Sequence, residues 1–119
     1  MDDNKKVEAT KTKDALEGYK EKYGKLYQVN ANIEPDDTTT IELEYYFKKP
    51  ATASYDRYVK STSQSPTKAL KAFVMDNVIE EQSKQLESDL EEYPALCLGL
   101  GEKLLHMLGL SKDVNLKML

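Results

Sequence analysis

Two runs of alternating apolar residues, joined by a turn and followed only by helical patterning, constrain this chain more than any other feature. In the first, Tyr27, Val29, Ala31 and Ile33 alternate with Leu26, Gln28, Asn30 and Asn32. In the second, Ile41, Leu43, Tyr45 and Phe47 alternate with Glu42, Glu44, Tyr46 and Lys48. A period of two puts each apolar set on one face of a strand. The connector Glu34-Pro-Asp-Asp-Thr38 is turn chemistry: Pro fixes φ and Asp accepts local backbone hydrogen bonds. An antiparallel hairpin follows. Two strands alone are marginally stable, so the ribbon must lie against helices or gain a strand from another chain.

Helical spacing surrounds the hairpin. Ala15, Leu16, Tyr19 and Tyr23 fall on one side of a helix that Thr12 can cap and Gly24 can end. After Lys48-Lys49-Pro50, a short helix carries Tyr55, Tyr58 and Val59, with Thr52 or Ser54 as its cap. Ser65 as N-cap and Pro66 at the first helical position start a third helix. Its apolar side, Ala69, Leu70, Phe73, Val74 and Val78, predicts that it runs to about Gln85. Tyr93-Pro94 breaks the chain. The last helix follows, with Glu91 and Glu92 at its positive end, and Gly109 is its C′ residue. Residues 1–11 are polar and predicted to be disordered, 12–110 form a single α+β domain, and 111–119 form a tail carrying Val114, Leu116, Met118 and Leu119.

Composition excludes several function classes. The net charge is −4, and no basic stretch is available to engage phosphates, so nucleic acid is not an expected partner. No apolar run reaches the length of a membrane span, and the polar N-terminus has no signal-peptide core. Cys97 is the only cysteine, which rules out an intrachain disulfide. These features predict a soluble protein of the cytoplasm.

Catalytic groups do not assemble from the sequence. Cys97 and His106 stand nine positions apart, on opposite sides of one helix at about 100° per residue. One His and one Cys with no further ligand at i+3 or i+4 make no zinc site, and the acids of 80–92 lack the glycine and spacing of a calcium loop. Ser65-Pro-Thr-Lys68 has the form S-x-x-K but no companion motifs. Gly99-Leu-Gly101 lacks the third glycine and preceding strand of a phosphate loop. No enzyme activity, metal or cofactor is expected.

The last helix instead points to binding. Ala95, Leu96, Cys97, Leu98, Leu100, Leu104, Leu105, Met107 and Leu108 cover well over half its circumference. A small domain can seldom bury a helix that is apolar nearly all round. Each of Gly99 and Gly101 costs roughly 1 kcal/mol relative to Ala in a helix interior, so they permit close approach, within the chain or by a partner. The candidate binding residues are Leu96, Leu100, Leu104, Met107 and Leu108, with Glu87, Glu91 and Glu92 as an acidic rim. Tyr27, Val29, Ile41, Leu43, Phe47, Phe73, Val74, Leu98 and Leu105 are the predicted core.

The ordered combination resembles the small tail assembly chaperones of siphophages and prophages of Firmicutes. The resemblance spans roughly Leu26 to Gly109. It rests on Tyr45-Tyr-Phe-Lys-Lys-Pro50, Tyr55-Asp56-Arg57, Ser65-Pro-Thr-Lys-Ala-Leu-Lys71, Val78-Ile-Glu-Glu-Gln82, Glu92-Tyr-Pro-Ala-Leu96 and Leu98-Gly-Leu-Gly-Glu-Lys-Leu-Leu105. It implies a non-catalytic protein that coats the hydrophobic, helical tape measure protein until the tail tube assembles. A Leu/Met-rich groove suits such amphipathic helices. The alternative expectation is a small phage or bacterial adaptor or structural subunit that self-associates as a homo-oligomer.

Overall fold

The computed structural model describes residues 15–119; the segment 1–11 and the Thr12 cap lie outside the described residues. A helix over 15–23 (α1) ends at Gly24, whose φ of 80° is the left-handed conformation of a C′ glycine. The hairpin follows as β1 (Tyr27–Asp36) and β2 (Thr39–Phe47). Then come α2 (Thr52–Thr62), α3 (Pro66–Asn77), a 3-10 turn at Glu80–Gln82, α4 (Ser83–Glu92) and α5 (Leu96–Met107). This is an α+β fold, a two-stranded antiparallel hairpin packed on a mainly helical C-terminal half.

The register pairs Tyr27 with Phe47, Val29 with Tyr45, Ala31 with Leu43 and Ile33 with Ile41, with an irregularity between Ile33 and Asp36. Asp36 closes the turn by accepting the Thr38 N–H at 2.8 Å and the Thr38 hydroxyl at 2.9 Å. Those bonds, the backbone one foremost, hold its carboxyl below the usual range.

The hairpin is buried unevenly. Tyr45 and Phe47 are fully enclosed, whereas Tyr27, Val29, Ile41 and Leu43, predicted as core, are half-buried. The reason is position: β1 is the outer strand, approached mainly by α5, and Ile41 and Leu43 lie toward the turn. At its base β2 is buried on both faces, because Tyr46 sits under Tyr19 of α1 with ring centroids 6.3 Å apart.

The third helix is shorter than its apolar pattern predicts. It ends at Asn77 instead of continuing to Gln85. Val78 and Ile79 turn extended and lie along the outer edge of β2, with Val78 bridged to Phe47. The Lys48 N–H donates to the Asn77 carbonyl at 2.9 Å, and the Ile79 N–H to the Tyr46 carbonyl at 3.0 Å. The Gln82 side chain continues the pairing. Its Oε1 accepts the Tyr46 N–H at 2.7 Å, and its Nε2 donates to the Glu44 carbonyl at 3.2 Å. Asn77 is held by its own side chain, whose Nδ2 donates to the Phe73 carbonyl and to Ser54 Oγ at 2.7 and 3.1 Å.

Phe47, Phe73 and Val74 join the core as predicted, together with Leu70, Val78, Leu86, Leu90, Leu100 and Leu104. Leu105 is half-buried at its margin, and Leu98, predicted inside, is 63% exposed. The Tyr45 hydroxyl donates to Asp89 Oδ2 at 2.5 Å, joining β2 to α4.

Burial first, and then this bond to a carboxylate, push the Tyr45 phenol up well above its ordinary value of 10.0. The unfolded chain therefore ionises Tyr45 near pH 10 while the folded chain does not. Stability contributed by Tyr45 is complete below that pH and is lost as the pH rises above it. Tyr45→Phe is expected to cost about 1 kcal/mol at pH 7 and to flatten the alkaline loss. Urea melts of both proteins at pH 7 and pH 11 measure this.

Candidate partner-binding surface

The position of α5 decides which of its apolar residues remain available. Cys97, Leu100, Gly101 and Leu104, spaced i, i+3, i+4 and i+7, face inward. Leu100 is 1% exposed and Leu104 0%, so these two proposed binding residues are core. Gly101 accounts for the choice of side. A Cβ at this position would lie 2.5 Å from Leu70 Cδ1, so the glycine lets α5 close against α3. A Cβ on Gly99 would meet nothing within 4 Å. Of the remaining candidates, Leu96, Met107 and Leu108 are half-buried at the margin of the core.

The acidic candidates all stand on α4. Glu87, Glu91 and Glu92 are exposed. Glu91 and Glu92 close α4 at its negative end, which corrects their expected place at the positive end of the last helix; the dipole there opposes them.

Two apolar troughs flank α5. The first, about 370 Å³, lies between α3 and the start of α5; Leu70, Leu90, Pro94, Cys97 and Leu98 line it, and Lys68 and Lys71 rim it. The second, about 600 Å³, separates β1 from α5; Val29, Ala31 and Ile33 form one wall and Leu96, Gly99 and Leu100 part of the other, with Glu92 and Lys103 adding charge. A smaller cleft of about 310 Å³ is lined by Leu105, Leu108 and Leu110 beside Tyr55 and Tyr58. The sequence reading missed Leu98, Lys68 and Lys71 as surface residues. Their signal was the i, i+3 pair of lysines bracketing Leu70 on the helix that Pro66 starts.

Burial raises the Cys97 thiol, with Lys71 opposing weakly, so the nucleophilic thiolate is disfavoured. His106 is at the surface with Nε2 3.5 Å from Glu102 Oε1. Among the described residues, no group of three or more His, Cys, Asp or Glu could hold a metal ion. None of the described helices is long and apolar enough to cross a membrane.

Fold and surface together define a small α+β domain with apolar clefts on both sides of its last helix. The chain belongs to the family described as a domain of unknown function, DUF6848, which matches residues 19–117. It is similar in structure to the uncharacterised protein rbstp2171 from Bacillus stearothermophilus, at a TM-score of 0.72 and 27% identity, over 86% of this chain and 99% of that one. No curated protein gives a significant match.

The glycines supply a test of this geometry. Gly99→Ala is expected to stabilise the fold by about 1 kcal/mol, the helix-propensity gain in open space. At Gly101 the same gain is opposed by overpacking against Leu70, a cost of about 1–3 kcal/mol. Urea denaturation of the two variants should therefore show Gly99→Ala above, and Gly101→Ala at or below, the parent protein.

Proposed function

We propose that this protein is a non-catalytic assembly chaperone of the phage or prophage tail type. It holds amphipathic helices of a tape measure protein, or of a partner with the same chemistry, in the cytoplasm of the bacterial host. The observation that carries the reading is Leu98. It is a large apolar side chain 63% exposed at the mouth of an apolar trough between α3 and α5. Isolated exposed leucines are ordinary, but one that borders an apolar cleft with a cationic rim fits helix-in-groove recognition. The occupant implied is a helix whose apolar anchors recur at i, i+3 or i+4, flanked by carboxylates that meet Lys68 and Lys71. A contact of this small size suits a holder that must later release its client, because affinity then comes from many weak engagements along a long chain.

A second reading, a self-associating adaptor or structural subunit, is favoured by a different observation. The segment after α5 leaves Val114, Leu116, Met118 and Leu119 between 79% and 109% exposed.

Co-expression with fragments of a tape measure protein tests the first reading. The fragments are expected to become soluble and co-purify with the parent protein. Leu98→Asp, at an exposed site, should keep its thermal melt and bind at least about thirtyfold more weakly. Leu104→Asp is unsuitable as a control, because it places a carboxylate in the core and unfolds the domain. Retention of the fragments by Leu98→Asp would move the contact elsewhere, and failure of every fragment to bind the parent protein would end the chaperone reading.

A further inference from the structure

We infer that the segment after α5, Ser111–Leu119, pairs as an added strand with the free edge of β1 in a second copy of this chain, seating Val114, Leu116 and Met118 along the trough between β1 and α5. The inference stands apart from the chaperone reading, which uses the other trough.

The two edges of the hairpin differ. The base of the β2 edge, from Glu44 to Lys48, is occupied by Asn77, Ile79 and Gln82. Among the described residues the sheet has two strands, and none lies on the other side of β1. Tyr46 directs its N–H and carbonyl away from β1, and its partner Gln28 must do the same on the opposite side. With the period of two, Asn30 and Asn32 also point their backbone groups outward. A free edge is a template for another strand unless Lys, Pro or a bulge blocks it. β1 has ten residues and no Lys, and both its Pro35 and the irregularity between Ile33 and Asp36 lie at its turn end, leaving Tyr27–Ile33 regular.

The segment 111–119 matches that edge in exposure, alternation, length and charge. It forms no helix or strand of its own and is exposed, with Val114 at 79%, Leu116 at 101% and Met118 at 95%. These three residues alternate with Asp113, Asn115 and Lys117, so a strand built from them presents one apolar and one polar face, as β1 does. Nine residues at about 3.3 Å each reach along nearly all of β1. The charges are complementary: β1 carries Glu34 and Asp36 without a cation, and the segment carries Lys117 and Lys112, the latter 3.6 Å from Glu102 of its own α5, against one acid. Gly99, with open space where a side chain would stand, leaves room in the trough for the incoming residues. The segment's own α5 ends on the α2 side, where Leu105, Leu108 and Leu110 line the cleft with Tyr55 and Tyr58. A second copy is thus the occupant to which the alternation, length and charge point.

Light scattering and sedimentation of the full chain across a range of concentrations test this, with Leu116→Asp altering the segment and Asn30→Pro removing one outward N–H of the edge. Proline is tolerated where an edge N–H faces solvent. The parent protein is expected to assemble as concentration rises. Each variant alone should melt as cooperatively as the parent when dilute and associate at least about thirtyfold more weakly. A mixture of the two should recover a pair, because Asn30→Pro still has its segment and Leu116→Asp still has its edge. If Asn30→Pro fails to fold, Gly99→Arg fills the trough from the α5 side and takes its place. A parent protein that stays monomeric at every concentration overturns the inference, as does assembly unaffected by Leu116→Asp. A mixture that remains monomeric overturns it as well.

Discussion

The rest of the structure depends on the short extended crossing from Asn77 to Gln82 along the edge of β2. A two-stranded ribbon cannot stand alone in water. Here the crossing gives it a partial third strand: the Asn77 carbonyl accepts one backbone hydrogen bond and the Ile79 N–H donates another, and the amide of Gln82, acting as a surrogate peptide, accepts one more and donates one. The crossing also sets the direction of α4, so that Asp89 meets the Tyr45 hydroxyl and Leu86 and Leu90 close over the core. On the outer side it meets α1. Glu81 accepts Lys22 Nζ at 2.8 Å and the Tyr23 hydroxyl at 2.9 Å. Lys22 foremost holds the Glu81 carboxyl below its usual range. One stretch of six residues thereby fixes the hairpin, the fourth helix and the first.

With the hairpin held at the base of β2, α5 has limited freedom. Its side at Gly101 closes against Leu70, and this places Leu100 and Leu104 in the core. The remainder of an almost wholly apolar helix must then face something else. Toward α3 that leaves Leu98 beside a lysine-rimmed trough, and toward β1 it leaves Gly99 and Leu96 across from Val29 and Ala31. The surface clefts are therefore a consequence of core packing: a 12-residue helix rich in leucine has more apolar surface than a domain of this size can cover.

Much of the local structure was legible in the sequence. Period-two alternation identified the hairpin, and Gly24, Pro66 and Gly109 marked element ends because each has a conformational reason to be there. Gly24 and Gly109 do adopt φ of 80° and 105°. What was not legible depended on contacts between elements. Nothing in Asn77-Val-Ile-Glu breaks a helix by propensity; the break is made by pairing with β2, a tertiary interaction that overrides the helical pattern. The exchange of Leu98 with Leu100 and Leu104 has a similar origin. When a helix is apolar on every side, periodicity cannot rank its faces. The glycine at 101 marked the side of closest approach, but Gly99 carried the same composition signal with no neighbour to justify it.

The asymmetry between the two hairpin edges bears on both functional readings. Among the described residues, the same chain covers the β2 edge from Glu44 to Lys48 and pairs nothing with the outer edge of β1, so β1 offers the longer edge to another strand. The lysine-rimmed trough borders α3 and α4, whereas β1 borders the other trough. A helical client in the first and a strand on the second would leave each other's contacts intact, apart from the shared turn at Pro94 and Ala95. Capture of an amphipathic helix and assembly of copies along it are thus compatible by geometry, and Pro94 is the place where occupation of one trough would be felt in the other.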